Sequence, residues 1–162
     1  MAKTNKITVN QLKKVAKEFE NETKVEWNGL NLVVKKQVSL QEVSNIVTYV
    51  SVASFTPNGE YISYAADFLT KQQIIKTFSN VELPEDLTET YELIYKTDIF
   101  GEILEHIDRN QYIEICDAID DKIEVMNGLN KAQVEHQIND LVNIISNLTS
   151  DMSKIQSNIT EE

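Results

Sequence analysis

Between Val134 and Ile159 the apolar residues advance by 4, 3, 4, 3, 4, 3, 4: Val134, Ile138, Leu141, Ile145, Leu148, Met152, Ile155 and Ile159. Apolar residues at this average spacing fall along one edge of an α-helix as a heptad seam, which a lone helix cannot bury. With Val134 at position d, Ile138, Ile145, Met152 and Ile159 fall at a, while Val134, Leu141, Leu148 and Ile155 fall at d. Ile at a with Leu at d is the preference of parallel two-stranded coils. Val142 and Ile144 fall at e and g and widen the stripe, which suits a third strand or a docked helix. The run is about 39 Å long at 1.5 Å per residue. Burying eight such side chains at about 1.5–3 kcal/mol each gives well over ~10 kcal/mol before ordering costs. The pattern predicts oligomerisation or zipping onto another helical protein. The plainer alternative is a long helix folded back on its own domain. The flanking Glu135, Gln137, Thr149 and Asp151 carry too little charge code to decide between self and another partner.

The 162 residues suffice for one domain of roughly 120 residues plus an appendage. Helix starts are well marked. Thr8 with Gln11, Ser39 with Glu42, Asp86 with Glu89 and Asp108 with Gln111 each pair a cap residue with Glu or Gln three positions on. Ile7 with Leu12, Val38 with Val43, and Ile107 with Tyr112 add hydrophobic staples to three of them. The first helix places Val9, Leu12, Val15 and Phe19 on one side. Asn28-Gly29 then predicts a tight β-hairpin over about 23–36, with Trp27 opposite Leu30, Val25 opposite Leu32, and Val34 on the same face. A hairpin is unstable alone and must lie on the helices, with Trp27 as its expected anchor. Helices follow over about 40–55, presenting Leu40, Val43, Val47 and Val50, and over 63–78, presenting Tyr64, Phe68, Ile75 and Phe78. Three more are expected near 87–96, 98–107 and 109–126, with Asn127-Gly128 ending the last in a left-handed cap. The expected fold is mainly α with one N-terminal β-hairpin. A compact helical domain over 1–127 precedes a C-terminal coiled-coil helix over 128–162.

The net charge of −11 is unevenly spread. Residues 1–81 hold ten Lys and seven acids, whereas residues 82–124 hold fourteen acids and three bases. An acidic block disfavours nucleic acid as partner and favours a basic protein surface. It also suggests that the basic end of one subunit meets the acidic block of another. Within that block Glu114, Asp117, Asp121 and Glu124 line one helical face, a candidate acidic docking face whose plain reading is a solvated surface. A straight row of carboxylates diverges, so no metal site is expected. The sequence has no phosphate-cradling glycine loop and no nucleophile or zinc motif, so no catalytic residue and no cofactor are assigned. Cys116, on the apolar stripe of its helix, reads as a core residue, although a Cys116/His106 pair is an enzymatic alternative. No apolar run is long enough to span a bilayer, and the start MAKTNKITVNQ lacks an apolar leader segment. With Cys116 as the only cysteine, an intracellular origin is expected.

Three stretches, VEWNGLNLVVKKQVSLQEV, VELPEDLTETYELIYKTDI and QYIEICDAIDDKIE, resemble small proteins of the structural gene clusters of tailed phages from low-GC bacteria. The order of a hairpin bearing W-x-G and then helices is similar to that of tail assembly chaperones. That resemblance implies binding and assembly, by contact with the tape-measure protein, rather than chemistry. It assigns no individual residue a role. The reading is a non-enzymatic phage structural or assembly protein of the host cytoplasm or the virion. Its partners are copies of itself or a helical phage protein. The alternative is an acidic nucleic-acid mimic that inhibits a host defence or DNA-binding protein.

Overall fold

Each cap residue satisfies backbone N–H groups that the first helical turn leaves without partners. The computed structural model describes residues 6–160, with side chains described through Asn147. In α1 (Val9–Lys17) and α2 (Leu40–Ala53) the capping boxes close in both directions. The Ser39 N–H donates to Glu42 Oε2 at 2.8 Å, and the Glu42 N–H donates to Ser39 Oγ at 3.3 Å. These bonds, with Lys35 beside them, hold the Glu42 carboxyl below its usual range. At α4 (Leu87–Thr97) the Glu89 N–H donates to Asp86 Oδ1. The chain continues through Asp98, in the left-handed region, into α5 (Ile99–His106) and then α6 (Arg109–Thr160).

At α6 the Asn110 and Gln111 N–H groups donate to Asp108 Oδ1 at 2.9 and 3.0 Å. The Gln111 side chain does not return to its own cap. It reaches Val38 instead, accepting from the Val38 N–H at 2.8 Å and donating to the Val38 carbonyl at 2.9 Å.

Strands β1 (Glu22–Trp27) and β2 (Leu30–Lys35) pair in the register that Asn28-Gly29 predicts, with Trp27 opposite Leu30 and Val25 opposite Leu32. Both turn residues have positive φ. The hairpin lies on the helices, but Trp27 is only half-buried, and Leu32 and Val34 are the deep anchors. The other edge of β2 meets Asn80, just past α3 (Ser63–Phe78). The Val33 N–H donates to Asn80 Oδ1 at 2.9 Å, the Asn80 N–H donates to the Val33 carbonyl at 3.2 Å, and Asn80 Nδ2 donates to the Asn31 carbonyl at 3.2 Å. Asn21 holds the far end of the hairpin in the same way, clasping the Gln37 N–H and carbonyl at 2.9 Å each.

The core joins Leu32 and Val34 to Ile46 and Val50 of α2, to Ile74, Ile75 and Phe78 of α3, to Ile103 of α5, and to Ile115, Ile119 and Ile123 of α6. Two expected faces rotate, and Cys116, expected in the core, lies at its edge. Leu40 is exposed, and Ile46 takes the central place in α2. Tyr64 is exposed and Phe68 half-buried, because Ala66 and Leu69 face inward at the start of α3. On α6, Ile115 is fully buried while Tyr112, Cys116 and Met126 sit at the margin.

The expected helix stop at Asn127-Gly128 does not occur. Gly128 is helical with no positive φ, and α6 runs through it for 52 residues. A glycine inside a helix costs only about 1 kcal/mol relative to alanine. The packing of α6 on the body carries past that point. Met126 and Asn127 are half-buried, and Asn130 Nδ2 donates to the Gly59 carbonyl at 3.0 Å.

Two stability outcomes follow from these contacts. A Cβ at Gly128 would meet nothing within 4 Å. Gly128→Ala should therefore stabilise the fold by about 0.5–1 kcal/mol in urea denaturation, whereas a left-handed cap at that position would turn the change destabilising. Gln111→Ala leaves the two Val38 backbone groups without their partner and should cost about 1–3 kcal/mol in the same measurement.

Candidate protein interface

Beyond Asn130 the helix leaves the body. Every residue from Lys131 to Asn147 is exposed. Val134, Ile138, Leu141 and Ile145 lie on one edge of this rod and are between 52% and 61% exposed. Val142 and Ile144, beside them, are also exposed. Leu148, Met152, Ile155 and Ile159 are on the same helix, but their side chains lie outside the described residues. The rod is not folded back onto the globule over the described seam. Apolar side chains exposed in a continuous line are a candidate binding surface.

Glu114, Asp117, Asp121 and Glu124 are all exposed on the buried segment's outer face. Among the described residues none of the four forms an ion pair, and the neighbouring Lys122 donates to Thr48 Oγ1 at 3.0 Å. Among the described residues no group of three or more His, Cys, Asp or Glu side chains is arranged to hold a metal.

Cys116 is half-buried, and burial pushes its thiol up, which suppresses the thiolate that a nucleophile needs. Its neighbour is Tyr112, whose hydroxyl is pushed up to about 12 by burial and then by the bond to Cys116. His106 faces Glu102 at 3.4 Å. The two groups of the enzymatic alternative thus have separate partners.

A second exposed apolar surface has no counterpart in the sequence reading. Tyr49 and Ala53 from α2, Tyr64 and Phe68 from α3, and Leu87, Tyr91 and Tyr95 from α4 line an open groove of about 860 Å³. The rings of Phe68 and Tyr91 are 5.6 Å apart, and those of Tyr91 and Tyr95 are 4.4 Å apart. The signal was present in α4, where Leu87, Tyr91 and Tyr95 recur every fourth residue. An aromatic stripe beside an acidic segment is as readily a core face as a binding face, so only the packing separates them.

One polar knot supports the groove. The Tyr95 hydroxyl donates to Asp67 Oδ2 at 2.9 Å, and Lys71 Nζ donates to the same oxygen at 2.9 Å while lying 4.7 Å from the Tyr95 ring centroid. Burial pushes the Asp67 carboxyl up, but the bonds from Lys71 and Tyr95 outweigh it and hold the group below its usual range. Burial likewise opposes the Lys71 charge, and Asp67 and Tyr95 outweigh it, so that ammonium is raised.

With α1 to α6 and a single hairpin among the described residues, the chain is a mainly helical protein that exposes apolar side chains along α6 and in the groove between α2, α3 and α4. Comparison with family models, with curated proteins and with solved structures finds no match to this chain. No helix among the described residues is long and apolar enough to cross a membrane.

The depressed Asp67 carboxyl fixes the sign of a pH effect. Its contribution to stability is present above the ordinary carboxylate range and is lost as pH falls through the folded value. The raised Lys71 contribution is lost only at the alkaline end, as pH rises through its folded value. Asp67→Asn should flatten part of the fall in Tm between about pH 5 and 3. An acid limb as steep as in the parent chain would refute the role of the knot.

Proposed function

We propose that this protein is a non-enzymatic assembly factor or structural component of the tailed-phage type, acting by helix-to-helix binding through the seam of α6. The single observation that carries the reading is the exposed line of Val134, Ile138, Leu141 and Ile145 on a helix already clear of its own body. Such a line costs free energy in water and returns it only against a second apolar surface. A helix of this length suits a partner that is itself long and helical, either another copy or a tape-measure-like rod. The resemblance of the body to tail assembly proteins supports the same reading. It also supports a place in the host cytoplasm or in the virion. The exposed acidic face of Glu114, Asp117, Asp121 and Glu124 adds long-range attraction for a basic partner, screened by salt.

Self-association is the form of this reading that one measurement tests. Ile138→Asp with Ile145→Asp places two charges in the seam without touching the core. Light scattering should give a multiple of 18.5 kDa for the parent chain and a lower mass for the variant. A parent chain that is monomeric at tens of micromolar would refute self-assembly through the seam.

A further inference from the structure

The seam of α6 continues the face by which the helix holds its own body. Ile119, Ile123, Asn127, Asn130 and Val134 advance by 4, 4, 3 and 4, so they form one stripe along the helix. Ile119 and Ile123 are buried, Asn127 and Asn130 are half-buried, and Val134 is exposed. The body occupies this stripe as far as Asn130, and the seam is the same stripe left uncovered. The loop over 57–61 overhangs the junction. With Asn130, Val134 and Gln137 it lines an open cleft of about 870 Å³ at the base of the rod.

This placement constrains how two rods can pair. In a parallel pair in register, each α6 would also run beside the other over residues 109–130, where the body already stands on the pairing face. To avoid the collision the helices would have to bend apart near Asn130, where α6 is unbroken. Ile at a with Leu at d favours a parallel pair only between helices that are free along that edge. Antiparallel pairing places each body beyond the opposite end of the seam. Every apolar layer is then filled: Val134 meets Ile159, Ile138 meets Ile155, Leu141 meets Met152 and Ile145 meets Leu148. Charge favours the same direction. Lys131 falls at position a. The parallel pair sets it against its own copy, whereas the antiparallel pair brings it to the end of the second copy's sequence that holds Glu161 and Glu162.

We propose that two copies pair antiparallel through their α6 seams, and that the end of each rod reaches the cleft beside the 57–61 loop of the other. The contact is isologous and closes as a twofold pair, with one body at each end. This inference rests on self-association through the seam and adds its direction.

The test is the distance between spin labels in the full chain carrying Cys116→Ser, with one new cysteine at a time. Gln133→Cys and Asn147→Cys occupy the same heptad position on the exposed rod, near its base and its middle. Circular dichroism and light scattering check the fold and the mass of each labelled chain. Labels at Asn147 should lie side by side across the pair. Labels at Gln133 should lie about 40 Å apart along the rod at 1.5 Å per residue. Chain labelled at Gln133 mixed with chain labelled at Thr160 should restore the short distance. Adding Ile138→Asp and Ile145→Asp should abolish the coupling at Asn147. A dimeric mass with Gln133 labels as close as the Asn147 labels would overturn the antiparallel direction and leave self-association standing. A monomeric mass with no coupling at either position would overturn self-association and the direction with it.

Discussion

The fold depends on side-chain amides standing in for missing backbone. A two-stranded hairpin pairs only with itself, and it leaves each strand with an edge of N–H and C=O groups to satisfy. Here carboxamides supply the donor and acceptor together. Asn80 closes the outer edge of β2, Asn21 closes the end of the hairpin, and Gln111 closes the link from β2 to α2. Each presents one oxygen and one nitrogen to a single peptide neighbourhood, as another strand would. The Asp108 N–H adds a backbone bond to the Lys36 carbonyl at 2.7 Å. These clasps fix where Leu32 and Val34 enter the core, and the helices close over that point.

What could be read from the sequence was local. Thr8, Ser39, Asp86 and Asp108 marked helix starts because a cap acts within three residues of itself, and the turn at Asn28-Gly29 set the strand register for the same reason. The long-range features were illegible. Gln111 carries the signature of a capping box, yet its amide serves Val38, 73 positions away. Nothing near Asn80 in the chain shows that it will border a strand. The burial of Ile46 over Leu40, and of Leu69 over Phe68, depends on how α2, α3 and α6 cross. Periodicity alone leaves that choice open by a fraction of a turn. Gly128 misled because a cap signal competes with tertiary contacts, and the half-buried Met126 and Asn127 with the Asn130 bond outweigh one glycine.

The candidate surfaces divide along the same line. The exposed edge of Val134, Ile138, Leu141 and Ile145 was legible in the sequence, because it is a regular pattern on one helix. The groove was not, because its walls come from three helices. Both surfaces are carried on helices, so their apolar side chains are held by ordered backbone before any partner arrives. A preorganised surface loses little conformational entropy on binding, so more of the burial energy remains as affinity. The Asp67, Lys71 and Tyr95 knot serves this end by holding one ring of the groove in place.

Continuity of α6 ties the orientation of the body to the seam. The last anchored residue, Asn130, and the first seam residue, Val134, are successive turns of one unbroken helix, with no joint between them. Body and rod therefore behave as a crank rather than as a ball on a string. The direction of the rod therefore fixes the bearing of the globule. One residue added to or removed from that turn would swing the globule by about 100° around the axis, leaving each part intact while spoiling any lattice that depends on their alignment.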